Sequence, residues 1–160
     1  MKVIIDTSPL ISFAVLDQLD LVDKLFTEII IPSAVSREIR MSKNKKEYNR
    51  ISNFIMNRIC YPQNKQRLKF QLGDGETEAI ILCLEMNADL LIIDDKKARN
   101  IAESYKIRCI GTLGLLTLAK KRGLIKEIRK YFIQLIDNER YFSRKLLNEI
   151  LELNREDPLE

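Results

Sequence analysis

Residues 72–112 read LGDGETEAIILCLEMNADLLIIDDKKARNIAESYKIRCIGT, and the order of patterns within them decides the fold class. Asp74 supplies an N-cap for a helix from about Gly75 to Met86. Asn87 suits the left-handed position that ends such a helix, and the apolar run LLII that follows reads as a buried strand. Asp94 and Asp95 therefore stand at the end of a strand. A helix over Lys96 to Tyr105, a strand at IRCI, and a helix from Leu113 to Arg122 stopped by Gly123 continue the alternation. Strands alternating with helices predict a central, mainly parallel sheet covered on both faces, a three-layer α/β/α sandwich.

The same alternation holds upstream. KVII at 2–5 is a short apolar strand, so Asp6 ends it, and Ser8 followed by Pro9 offers an N-cap and first-turn proline for a helix carrying Leu10, Ile11, Ala14 and Val15. EIIIP at 28–32 is a second β-branched run, after which Ser33 can cap a helix through Ala34, Val35, Glu38 and Ile39. A lysine-rich stretch at 42–50 leads into Ile51, Phe54, Ile55 and Ile59, spaced as on one helical face, and residues 61–70 read as a loop. Downstream, Ile128, Phe132, Leu135 and Ile136 form one amphipathic stripe, and Leu146, Leu147, Ile150 and Leu151 form another.

Composition narrows the chemistry. The 160 residues are 46% hydrophobic, enough for the core of one domain, and contain no run near the roughly 18 apolar residues that a membrane span needs. With no basic leader before the first strand, the expectation is a cytoplasmic protein without membrane association. The three cysteines, Cys60, Cys83 and Cys109, are far apart and suit buried thiols in a reducing compartment. There is no histidine, which removes histidine-based triads, a histidine general base and histidine-containing zinc sites. Chemistry here must use carboxylates, hydroxyls, lysines or a metal. The net charge of +4 is compatible with a polyanionic partner and equally ordinary for a soluble domain.

In open parallel sheets, ligands bind beyond the carboxyl ends of the strands. Asp6, Asp94 and Asp95 end strands, Glu38 lies about one turn into a helix after the second strand, and Glu76 and Glu78 lie in the first turn of the helix before the Asp pair. Acids from four segments thus point to one edge. Close carboxylates raise one another's pKa unless a cation compensates, and all-oxygen ligation suits Mg²⁺ or Mn²⁺. Such a site can hydrolyse a phosphodiester without histidine. Glu76 and Glu78 are about 200° apart around a helix, so only one of them faces the site.

VIIDTSPLI, IPSAVSREI, LGDGETEAIILCLEMNADLLIIDDKKAR and IGTLGLL, in that order, resemble the PIN-domain superfamily, and particularly a branch close to the VapC toxin ribonucleases. The resemblance implies a PIN-like catalytic domain over residues 1–125. Residues 126–160 are then a helical extension, packed on the same domain or at a dimer interface. It implies metal-dependent cleavage of RNA, Mg²⁺ or Mn²⁺ as cofactor, frequent homodimers and, for the toxin branch, an antitoxin partner. Position by position, Asp6 matches the first acid, Glu38 the second, Glu78 the third and Asp95 the fourth, with Asp94 as reserve ligand and Thr7 beside the first acid. Two positions depart from the pattern. Ile93 stands where a threonine is common two places before the fourth acid, and the third acid is glutamate instead of aspartate, so Asp94 and Asp95 both stay open as ligands.

Lys43, Lys45, Lys46 and Arg50 are candidates for RNA phosphate contacts, with Tyr48 and Phe54 nearby. Two rival readings remain. One is a PIN-like RNA-binding or interaction module without catalysis, motivated by Ile93. The other is a phosphoesterase acting on small molecules.

Overall fold

The computed structural model describes residues 1–42, 45–64 and 70–160, the side chain of Lys45 excepted. Five strands, β1 (Lys2–Ile5), β2 (Glu28–Pro32), β3 (Ile59–Cys60), β4 (Leu90–Ile92) and β5 (Cys109–Ile110), form one sheet in the order β3-β2-β1-β4-β5. Every pairing is parallel, for example Ile4 beside Ile30 and Leu91. The helices among the described residues are α1 (Thr7–Val15), α2 (Leu19–Leu25), α3 (Ser33–Met41), α4 (Lys45–Ile55), α5 (Asp74–Met86), α6 (Lys96–Ser104), α7 (Thr112–Lys121), α8 (Arg129–Asp137) and α9 (Arg144–Leu153).

The strand pleat sorts the core into two halves. Val3, Ile5, Ile29, Ile31, Leu90 and Ile92 face a large cluster that includes Phe13, Val35, Leu116, Phe132, Leu147 and Leu151 from the helices of one layer. Ile4, Ile30, Leu91 and Ile93 face the other way, onto Ala79, Ile80 and Cys83 of α5 and Ala98 and Ala102 of α6. Successive side chains on a strand point to opposite faces, so a run such as KVII can be buried throughout only when both faces are covered. Each fully buried aliphatic side chain contributes about 1.5–3 kcal/mol through removal from water. The three-layer arrangement is the one that satisfies both sets.

Several local expectations shift. The helix after β1 begins at Thr7 with Asp6 at its cap position, so Ser8 lies inside the first turn, and the Asp6 side chain makes no capping bond. Pro32 instead of Ser33 stands before α3, and Gly73 instead of Asp74 before α5. Ile59 is not on the face of α4, which ends at Ile55. It forms part of β3, with the Arg58 carbonyl accepting from Ile31 N–H at 2.8 Å. A two-residue edge strand carries no periodicity, which is why the helical spacing extended across it. Residues 65–69 of the expected loop lie outside the described residues.

The C-terminal segment is bonded to the same core. Tyr131, Phe132 and Leu135 of α8 and Leu147 and Leu151 of α9 are buried in the larger cluster. Glu156 ties the segment down: its carboxylate accepts from Ile128 N–H at 2.9 Å, Arg129 N–H at 2.8 Å and Lys120 Nζ at 2.6 Å. These donors, with Lys120 first among them, hold its pKa below the ordinary value against the opposing effect of burial. All three cysteines are free thiols, and burial pushes Cys83 up to about 12.

Candidate active site

The chain leaves β1 toward β2 and β3 on one side of the sheet and returns through β4 and β5 on the other, which makes the carboxyl ends of β1 and β4 the topological switch point. A crevice opens there because the connections diverge. Asp6 N–H donates to the Ile92 carbonyl at 2.9 Å, so Asp6 is fixed to the end of β4, two residues before Asp94.

Asp6 is 3% exposed. Its Oδ1 is shut off from solvent and has no hydrogen-bond partner among the described residues. Its pKa is pushed up to about 7, first by burial, then by the negative charges of Glu76, Glu38 and Asp94, against the lowering effect of the Thr7 backbone N–H. Those three acids therefore share a field with Asp6. Glu76 is itself raised by burial and by Glu38 and Asp95, with the backbone N–H groups of Glu76 and Gly73 opposing.

The other acids are held in place by neighbours. Thr7 Oγ1 donates to Glu38 Oε2, and Gly75 N–H donates to Glu38 Oε1 at 3.0 Å. Asp94 accepts from Thr112 N–H at 2.7 Å, from Thr112 Oγ1 at 2.7 Å and from Ser8 Oγ at 3.3 Å. Asp95 is exposed and caps α6, its Oδ1 accepting from Ala98 N–H at 2.7 Å. Of the two aspartates, Asp94 is the one whose charge acts on Asp6, while Asp95 acts on Glu76.

Glu78 is tied to the start of α3. It is 3% exposed and accepts from Ser33 Oγ at 2.8 Å and Ala34 N–H at 2.7 Å, with Arg37 at 3.5 Å. The first turn of α3 has no capping side chain of its own, and Glu78 of α5 supplies one across the interface. It thereby orients the helix that carries Glu38. On the same helix, Glu76 shares the field of Asp6 and Glu38.

Arg140, between α8 and α9, is a contributor that the sequence does not signal. Its guanidinium donates to Ser8 Oγ at 2.7 Å, the Ser8 carbonyl at 3.1 Å and Ser12 Oγ at 3.1 Å. Burial lowers its pKa, and the charge of Asp94 opposes that shift. No motif surrounds it, and only the folding back of the C-terminal segment brings it to the cleft.

Of the candidate RNA-contacting residues, Lys46 is exposed on α4. Lys43 and the side chain of Lys45 lie outside the described residues. Arg50 donates to the Ala14 carbonyl and pairs with Asp17, near the far end of α1, roughly 12 Å along the helix from Asp6. Tyr48 and Phe54 pack against the core, and Arg58 stacks on the Phe54 ring at 4.0 Å. Ile93 is fully buried in the core half under α5 and α6.

A family model described as a PIN domain matches residues 2–156. The chain belongs to the PIN-domain family. PIN domains are generally nucleases and typically use Mg²⁺ or Mn²⁺. A solved structure, that of a PilT N-terminus domain protein from the hyperthermophilic archaeon Sulfolobus solfataricus P2, superposes with a TM-score of 0.56 at 21% identity. The match covers 74% of this chain and 93% of that one, and supports the fold. No functionally curated protein matches this PIN domain. None of its helices, among the described residues, is long and apolar enough to cross a membrane.

The donor set fits a hard divalent cation. Among the described residues no three acids stand as a ready-made metal cage. Mg²⁺ does not require one, since it is ordinarily held by one or two carboxylates, with waters and substrate phosphates completing the octahedron. The Asp6 Oδ1 without a partner is the kind of buried atom that such an ion satisfies.

Proposed function

We propose that this PIN domain is a metal-dependent endoribonuclease whose Mg²⁺ or Mn²⁺ would sit on Asp6, with Glu38 and Asp94 reaching it directly or through water, Glu76 in the place expected of Glu78 and Asp95 at the rim. The observation that carries the reading is the partnerless, buried carboxylate oxygen of Asp6 amid three other acids at the switch point of the sheet. When bound, the ion supplies the Lewis acidity that activates water and stabilises charge on the phosphoryl group.

The protein's own share is positioning and charge. Thr7 and Gly75 fix the two oxygens of Glu38, and Thr112 and Ser8 fix Asp94, so neither carboxylate pays rotamer freedom when substrate arrives. Asp6, whose pKa is raised to about 7 by burial and by the neighbouring acids, is the group that a cation at this edge would hold ionised. Arg140 anchors Ser8 and places a cation beside Asp94, where a phosphate oxygen can meet it.

The test is cleavage of structured and single-stranded RNAs by wild type and Asp6→Asn, each with Mg²⁺, Mn²⁺ or EDTA. Cleavage that needs metal and vanishes in Asp6→Asn is the expected result. RNA binding without cleavage by the wild type transfers the conclusion to an interaction module, and hydrolysis of nucleotides alone transfers it to a small-molecule phosphoesterase. On the toxin reading, a basic side chain of an antitoxin would enter the carboxylate cleft. Co-purification from the native host without a small partner protein counts against that part.

A further inference from the structure

Asp94 has a second neighbourhood. Beyond its carboxylate a cavity of about 300 Å³ lies between the edge of the sheet at β5 and the start of α9, lined by Asp94, Arg99, Ile110, Phe142, Leu146 and Ile150 among others. Its floor comes from the sheet edge and α7, and its other wall is the C-terminal segment two residues after Arg140. A cavity of this size is at the small end of ligand pockets, which are mostly apolar with a few polar groups that fix orientation.

The polar groups here are specific. Arg99 donates from Nη2 to the Ile93 carbonyl at 2.9 Å, while its Nε is shut off from solvent and has no acceptor. Gly111 permits this arrangement: a Cβ there would lie 2.6 Å from Arg99 Nη2 and 2.8 Å from Asp94 Oδ1. Leu146 is 44% exposed although it lines an apolar wall, and the half-buried Phe142 ring lies on the same wall. An apolar slot with an aromatic ring and a guanidinium in its lining matches a planar heterocycle that carries acceptors.

We propose that this cavity is a subsite for one nucleobase of the substrate strand, which stacks on Phe142 and accepts from Arg99 while the adjoining phosphate meets the carboxylate site. The inference rests on the nuclease reading, because Asp94 is common to the cavity and the carboxylate cluster. Phe142 just before α9, with Leu146 and Ile150 on one flank of that helix, then makes the C-terminal segment a determinant of base preference.

The experiment measures binding of the four ribonucleoside 5′-monophosphates and of ribose 5-phosphate to the full chain in Mg²⁺, by calorimetry and backbone NMR shifts. These probes have no phosphodiester, so the wild type is usable. At least one nucleotide is expected to bind about tenfold tighter than ribose 5-phosphate, in keeping with base stacking on an aromatic ring, with shifts at Phe142, Leu146 and Gly111. Leu146→Trp, which fills the cavity from its exposed side, and Phe142→Leu, which keeps the wall apolar, are both expected to erase that margin. Equal binding of nucleotides and ribose 5-phosphate overturns the proposal, as does a margin unchanged in both variants or shifts that leave Phe142 and Leu146 untouched. A base margin in a protein that cleaves no RNA supports the subsite and removes the nuclease reading, whereas cleavage without a margin removes the subsite alone.

Discussion

The Oε1 of Glu38 accepts from Gly75 N–H at 3.0 Å, and a Cβ at Gly75 would lie 2.7 Å from that same oxygen. The backbone of α5 thus docks on a carboxylate of α3 at a distance that only glycine permits. Gly75→Ala is expected to move Glu38 and lower metal-dependent cleavage by about 100-fold, the scale of an ångström-level misplacement. Alanine is favoured over glycine by up to about 1 kcal/mol in a helix, so thermal stability should change little. Full activity in Gly75→Ala, measured beside its melting curve, would show that Glu38 need not stay where it is.

Glu76 and Glu78 separate into two roles. Glu78→Gln is expected to cost about 2–3 kcal/mol in urea unfolding, because a buried carboxylate that caps α3 loses charge-assisted bonds. Glu76→Gln is expected to cost less than about 1 kcal/mol, as a half-buried surface-side acid, and to lose metal-dependent activity. Paired unfolding and cleavage assays on the two variants check this. The reversed pattern would return Glu78 to the metal site.

Asp6 links the site to pH. Its folded pKa of about 7 lies above the ordinary 3.8, so folding favours the protonated form. Stability from this group is complete below 3.8 and is lost as pH rises through about 7. Removing the ionisable group is therefore expected to help the metal-free protein most above neutrality. Asp6→Asn should raise metal-free stability by about 2 kcal/mol at about pH 8 and by little at about pH 4. Chemical denaturation in EDTA at both pH values measures the difference, and an equal effect at both contradicts it.

Glu156 behaves in the opposite sense. Its pKa is lowered by Lys120 and the Ile128 and Arg129 N–H groups, so its contribution is present above the ordinary 4.5 and is lost as pH falls through the lower folded value. The carboxylate is 10% exposed. Glu156→Ala is expected to cost about 2–4 kcal/mol near neutral pH, leaving Lys120 and two helix-end N–H groups without their acceptor. The gap from wild type should narrow as pH falls below the ordinary 4.5. Limited proteolysis is expected to cut the variant first around α8 and α9, and cleavage elsewhere would show that Glu156 does not anchor that segment.

Much of this molecule is legible in its sequence. Apolar runs at 3–5, 29–32 and 90–93 can be buried only between two helical layers, and helix-sized spacings between them impose parallel pairing. Asp6, Glu38, Asp94 and Asp95 follow, because the ends of such strands and the first turns after them must meet at one edge. The edge strand β3 was not legible, since two residues have no period and their pairing depends on Ile31 being beside them. Nor was the direction of the Glu76 and Glu78 side chains.

The reason lies in α5. Gly75 and every residue from Glu78 to Cys83 are buried there, because the helix is wedged between the sheet and α3. Burial on several sides erases the amphipathic signal that would assign a face. By itself the sequence determined the layers, the parallel sheet and the edge where the acids collect, all consequences of local pattern and chain connectivity. Only the tertiary structure decided that Glu78 caps α3, that Glu76 shares the field of Asp6 and Glu38, and that Arg140 reaches Ser8, since each depends on contacts between segments distant in the chain.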